Sequence, residues 1–195
     1  MAKTETGNPA GFATAADGNG IGGYGATAKA LHWIVVALLI VQFIIAWTMP
    51  DIRRDTKPDT LINLHLSFGA LILFVAIVRL AWRLIQGGVA ALASLTPFER
   101  VTSHAIHWLL YLLLFVVPIL GWINASWRGF PTVMFGLELP KLIATHAPGW
   151  RWTGDVHGLL ANYVMLALVG LHVAAALYHY FIRRDGVLQR MLPGV

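Results

Sequence analysis

The chemically conspicuous side chains of this chain are histidines in apolar surroundings, among eight histidines in all. His172 lies inside the run VMLALVGLHVAAALYHYF, residues 164–181. Lipid offers an imidazole neither water nor many partners there, so an ionisable group held at that depth marks a functional site. His157 precedes it by fifteen residues, in DVHGLLANY. His65 sits in INLHLSFG near the start of a second apolar run, and His32 in ALHW at the start of a third.

Helical geometry sorts these four. Fifteen residues advance about 22 Å along an α-helix and return to within about 60° of the same face. His157 and His172 therefore address one side of a helix at two depths. His65 begins its helix at the level of His157. His32 lies about 25 Å from the far end of its own helix, level with His172. The spacing predicts two level pairs, His65 with His157 and His32 with His172. Two imidazoles facing each other in a helix bundle suit the two axial positions of a haem iron, with the macrocycle between the helices. Ligation also relieves the cost of burial, because iron takes one ring nitrogen and the other donates to a carbonyl or water. Any one of these histidines alone also reads as an interfacial residue satisfied near a helix end; the pairing by depth favours ligation.

The other candidates are weaker. His104 and His107 form H-x-x-H on one helical face, a spacing that can chelate a metal, but no further ligand is near in sequence. His107 reads better as a polar contact to a haem propionate or a quinone. His179 follows His172 by seven residues, about 10 Å away on the same face, and is expected at the interface, touching a propionate or quinone. His146 falls in a loop and is expected to be solvated. Arg79 and Arg83 lie four apart near the end of an apolar run, where a cation pairs with an anion such as a propionate. Equally, they read as juxtamembrane arginines that set topology. Gly69, Gly121, Gly158 and Gly170 are places where a flat macrocycle can approach backbone, or where helices pack closely. Pro118 is expected to kink its helix.

The elements that must position these side chains are membrane helices. Of 195 residues, 57% are hydrophobic and 12% charged, about half the charge of a soluble domain. Four runs, near 31–49, 63–85, 103–125 and 158–182, are long enough to cross a bilayer. The fold class is all-α, an integral membrane four-helix bundle. Residues 1–27, rich in Gly, Ala, Thr and Asn, read as a disordered tail rather than a signal peptide, ahead of a transmembrane domain over 28–195. The chain has no cysteine, which excludes disulfides, iron–sulfur clusters and covalent haem attachment. A net charge of +5 comes from loop and tail residues and forms no nucleic-acid-binding stripe. With four spans, the side bearing the termini carries Lys3, Lys29, Arg79, Arg83, Arg100, Arg183, Arg184 and Arg190. The other carries Arg53, Arg54, Lys57, Arg128, Lys141 and Arg151. The positive-inside rule then puts both termini in the cytoplasm. An apolar piece at 133–139 in the long third loop is too short to span and fits the interface.

ALHW, INLHLSFGALILFVAIVRLAWRL, HAIHWLLYLLLFVVPILGW and HGLLANYVMLALVGLHVAAALYHYF, in that order, resemble the bacterial cytochrome b561 family of four-helix, di-haem type. The likeness covers about residues 28–193, and the RGF…FGLELP stretch looks like the family's outer loop. The N-terminal tail is longer than the family leads one to expect. The resemblance implies two haem b groups held by His32, His65, His157 and His172, in a multi-pass protein of the bacterial inner membrane. It also implies electron transfer across the membrane to the quinone pool, with ubiquinone as acceptor. The activity it suggests is that of a superoxide oxidase, a superoxide:ubiquinone oxidoreductase. Arg128, Lys141 and Arg151 would then steer superoxide in from the periplasm, and His107, Arg79 and His179 are the candidates around the quinone. Three alternatives stand beside it: a quinol-linked carrier to another redox partner, the cytochrome b subunit of a hydrogenase or dehydrogenase, and a haem-free transporter or scaffold.

Overall fold

The computed structural model describes residues 23–53, 55–87 and 89–193. Four helices dominate it: α1 (Ala26–Thr48), α2 (Thr60–Gln86), α3 (Pro97–Arg128) and α4 (Trp152–Arg183). Each is long and apolar enough to cross a membrane, and a helix can do so because it satisfies its own backbone groups. Every helix starts three to six residues before its apolar run, and polar caps set the first turn of α2 and α3. Asp59 Oδ1 accepts from Ile62 N at 2.9 Å at the head of α2. Thr96 and Glu99 form a capping box at the head of α3, with Pro97 in the first turn. The tail expected over 1–27 lies outside the described residues up to Gly22, and its last two residues already belong to α1.

α4 is not a uniform α-helix. Residues Leu160–Met165 form a π-type turn, and His179–Arg183 a second one. The helix stops at Arg184, whose φ of 51° reverses the chain.

The loop after α3 adds a small hairpin, β1 (Val133–Met134) with β2 (Leu137–Glu138), paired antiparallel. The apolar piece at 133–139 thus folds as a strand pair. Phe135 and Gly136 take positive φ at its tip, the geometry of a tight hairpin turn. The Ser67 hydroxyl donates to the Val133 carbonyl, and Phe135 packs on Phe68 with ring centres 5.5 Å apart. The hairpin is therefore strapped to α2 just past His65.

Buried contacts gather in three small clusters between helices. Val35, Ile72, Ala76 and Leu114 form one; Ile62, Ala125 and Phe130 a second; Leu113, Val117 and Met165 a third. Ile40, Phe74, Ile85, Leu112, Leu171 and Ile182 face outwards. Outward apolar residues on every helix are what a lipid environment rewards, and the chain is a multi-pass membrane protein. α1 begins and α4 ends at the same end of the bundle: Trp33 Nε1 donates to the Met191 carbonyl at 2.9 Å, and Tyr24 N to the Arg190 carbonyl at 3.3 Å. That end is the terminal end below, and the other is the hairpin end.

Candidate functional site

At the hairpin end α2 brings His65 and α4 brings His157 to within 6.0 Å, ring centre to ring centre, with planes 86° apart. Both border a cavity of about 1130 Å³. The His157 Nδ1–H donates to the Val117 carbonyl at 2.9 Å. That fixes the tautomer and leaves Nε2 as the open nitrogen. Gly121 makes room for the ring: a methyl group there would fall 2.9 Å from His157 Cε1. This glycine thus accommodates the imidazole itself.

Gln42 of α1 closes the site from the other side. Its Nε2 donates to the His65 carbonyl at 3.1 Å and lies 3.1 Å from Nδ1 and 3.3 Å from Nε2 of the ring. Such near-equal distances put it beside the ring face, clear of the in-plane lone pairs. Gln42 Oε1 is buried and finds no hydrogen-bond partner among the described residues.

Arg128 and Arg151 line the same cavity, as do Arg53, Asp51, Asp55 and Asp155. Arg128 Nη1 donates to the Arg53 carbonyl at 3.0 Å and its Nε to Asn124 Oδ1 at 3.2 Å. Lys141 is exposed and not among the lining residues; its Nζ donates to Thr145 Oγ1 at 3.3 Å. His146, expected to be solvated, is exposed but borders the cavity and packs on Trp127 with ring centres 5.5 Å apart.

At the terminal end His32 of α1 and His172 of α4 have ring centres 6.3 Å apart. A third imidazole joins them, His107 of α3, at 5.2 Å from His172. Its Nδ1–H donates to the Ser103 carbonyl at 2.6 Å, so its Nε2 is free. Arg79 Nη1 donates to the Ala28 carbonyl at 3.2 Å, and the guanidinium lies 5.8 Å from the Tyr111 ring centre. Arg83 stands over Trp108 and Tyr111, also at 5.8 Å. Among the described residues no carboxylate forms an ion pair with Arg79. His179 is drawn away to Asp185, Nδ1 to Oδ2 at 2.6 Å. His104 is exposed, on the rim of a separate shallow cavity with Arg100 and Trp108.

The π-type turn of α4 matters for this layout. Such a turn absorbs one extra residue, which brings His157 and His172 to within about 40° of one face rather than 60°. Both rings then meet their partners from one side of α4.

These residues fit a haem at each level. Metal–nitrogen bonds of about 2 Å, with about 1 Å more to each ring centre, put two axial imidazoles about 6 Å apart, centre to centre. The observed 6.0 and 6.3 Å agree. Arg79 supplies a cation without a protein carboxylate, as a propionate requires. Gly158 and Gly170 face open space, with nothing among the described residues within 4 Å of an added methyl.

Gln42, Arg53 and Asp185 were missed by sequence reasoning. Gln42 had a readable signal, as the lone amide of the apolar run 34–47. Arg53 and Asp185 had none, since both act through loop geometry.

Comparison with known proteins bears on the same residues. Residues 23–194 match the family described as prokaryotic cytochrome b561. Cytochrome b561 homolog 2 of Escherichia coli (strain K12) is 32% identical over 87% of this chain and 90% of the relative. A protein of Yersinia pestis named probable superoxide oxidase CybB is 30% identical over 84% of this chain and 92% of its own. Cytochrome b562 of Cereibacter sphaeroides is 29% identical over 87% and 95%. An imidazole pair at each end of a four-helix membrane bundle and a match across nearly the whole chain lead to one assignment: the protein belongs to the prokaryotic cytochrome b561 family, whose members bind haem b.

Proposed function

We propose that this protein holds two haem b groups and carries electrons from superoxide at the hairpin end to ubiquinone at the terminal end, as a superoxide:ubiquinone oxidoreductase. The carrying observation is the presence of one imidazole pair at each end, both with the spacing of axial ligands. When bound, the haems would supply one-electron transfer between the two faces of the membrane. His65 and His157 would hold one, His32 and His172 the other.

The chain's own residues do the rest. The Val117 carbonyl holds the His157 Nδ1–H and leaves Nε2 open. Arg128 and Arg151 line the cavity, as Arg53 does, beside Asp51, Asp55 and Asp155; the local field of the Arg128 and Arg151 guanidiniums would raise the encounter rate of an anion. Conversion of superoxide to O₂ releases an electron and no proton, so the hairpin end needs no general acid or base. The terminal end gathers His107, Arg79 and the His179–Asp185 pair, groups suited to a quinone that gains protons as well as electrons. Placing that end in the cytoplasm follows from the excess of basic residues beside it. A relative named as a probable superoxide oxidase, 30% identical, supports the choice of donor.

Stopped-flow mixing of the oxidised protein with superoxide tests it. The haem α-band should rise within milliseconds, and added ubiquinone should return it to the oxidised state. Reduction by ubiquinol but not by superoxide would replace this reading with that of a quinol-linked carrier.

A further inference from the structure

Reducing a quinone to a quinol takes two electrons and two protons, as both carbonyls become C–OH. Superoxide oxidation delivers none of those protons. They must enter from water at the terminal end, and one pair of side chains there is built for the task. His179 Nδ1 and Asp185 Oδ2 lie 2.6 Å apart, with the two side chains only 12% and 7% exposed. Asp185 reaches the ring because Arg184 turns the chain with φ 51°. Left-handed backbone is costly for a residue with a side chain, so the reversal is held by its surroundings. Asp185 Oδ1 also accepts from Val187 N at 3.3 Å. The other charged or titratable neighbours are Arg183, whose Nε is 3.8 Å from Asp185 Oδ2, Glu99 of α3, which Arg183 Nη1 holds at 3.2 Å, and Tyr178, whose ring centre is 5.7 Å from that of His179. His179 follows His172 by seven residues, about 10 Å further on nearly the same stripe of α4.

Resting on the reading that quinone is reduced at this end, we infer that His179 is its proton donor and Asp185 the residue that positions it. The Nδ1–H stays on Asp185, which fixes Nε2 as the nitrogen that exchanges protons. Nε2–H gives its proton to a quinone oxygen as an electron arrives, and water at the terminal end restores it. Two such rounds, with two electrons, complete the quinol. The Asp185 carboxylate offsets the ring's charge while it carries both protons.

The test uses full-length, haem-loaded protein in detergent. Haems are reduced with limiting dithionite, and reoxidation by ubiquinone-1 is followed from pH 6 to 9; superoxide-driven reduction is read on the same samples. Asp185→Asn and His179→Gln should each lower the ratio of reoxidation to superoxide-driven reduction about tenfold or more. The deficit of Asp185→Asn should shrink as pH falls, and Asp185→Glu should recover most of the rate. Independently of turnover, ¹⁵N NMR of labelled histidine should show His179 as the Nδ1–H tautomer, lost in Asp185→Asn. Wild-type ratios and pH profiles in both variants, or an Nε2–H tautomer in the wild type, overturn the inference. A wild-type protein whose haems quinone does not reoxidise defeats the proposed function itself.

Discussion

At the hairpin end His65 and His157 stand in a wide cavity lined by three arginines and three aspartates, with one ring locked to a backbone carbonyl. At the terminal end His32 and His172 share their space with a third imidazole and two arginines, and a histidine–aspartate pair lies about 10 Å further along α4. The ring-centre spacings differ by only 0.3 Å, 6.0 against 6.3 Å, so what sets the two ends apart is the neighbourhood. A donor that brings only an electron needs access and positive potential. An acceptor that also takes protons needs groups that hold and release them. On the proposed function, this contrast fits electron entry at the hairpin end and quinone at the terminal end.

Five sets of substitutions bear on this contrast. The largest effect is expected from the ligands: His157→Ala and His172→Ala should each lower haem content from about two to about one per chain by pyridine haemochrome. Loss of both haems from one substitution would mean that the ends are not independent. Next, Gly121→Ala puts a methyl against His157 and should weaken haem retention at the hairpin end about tenfold, within the range for groups that orient ligands. Gly170→Ala, facing open space, tests whether a macrocycle fills it: haem loss there places the ring against that backbone. Arg128→Gln with Arg151→Gln should slow superoxide-driven reduction about threefold to tenfold and flatten its salt dependence, while quinone reoxidation stays unchanged. The smallest effect is expected from Arg79→Gln. By removing a cation beside His32 and His172, it should lower one midpoint potential by up to about 60 mV, the one-electron equivalent of about 1.4 kcal/mol, and leave the other in place.

Much of this layout was legible in the order of residues. Apolar runs locate four spans because lipid demands them. The spacing of His157 and His172, set against the single histidines of α1 and α2, picks out the rings that are neighbours in the fold. The starts of α2 and α3 were not legible from hydropathy, since Asp59 and Thr96 set them through hydrogen bonds in polar sequence. The π-type turn at Leu160–Met165 was hidden too, as nothing in LANYVM departs from ordinary helix composition. His107 was read as a polar contact, but its closeness to His172 depends on how α3 faces α4. Asp185 lies beyond the apolar run, and only the left-handed Arg184 returns it to His179.

One helix completes both sites. α1 and α2 each carry a single member of a pair, and α4, the last of the four to be synthesised, carries the partner of each. His65 leaves the ribosome 92 residues before His157, a wait of roughly 5 to 20 seconds at ordinary elongation rates. Throughout that interval the first two helices can offer one imidazole at each level and no more. On the proposed ligation neither site is complete until α4 is made, and a chain truncated before α4 would leave both His32 and His65 without the imidazole each faces.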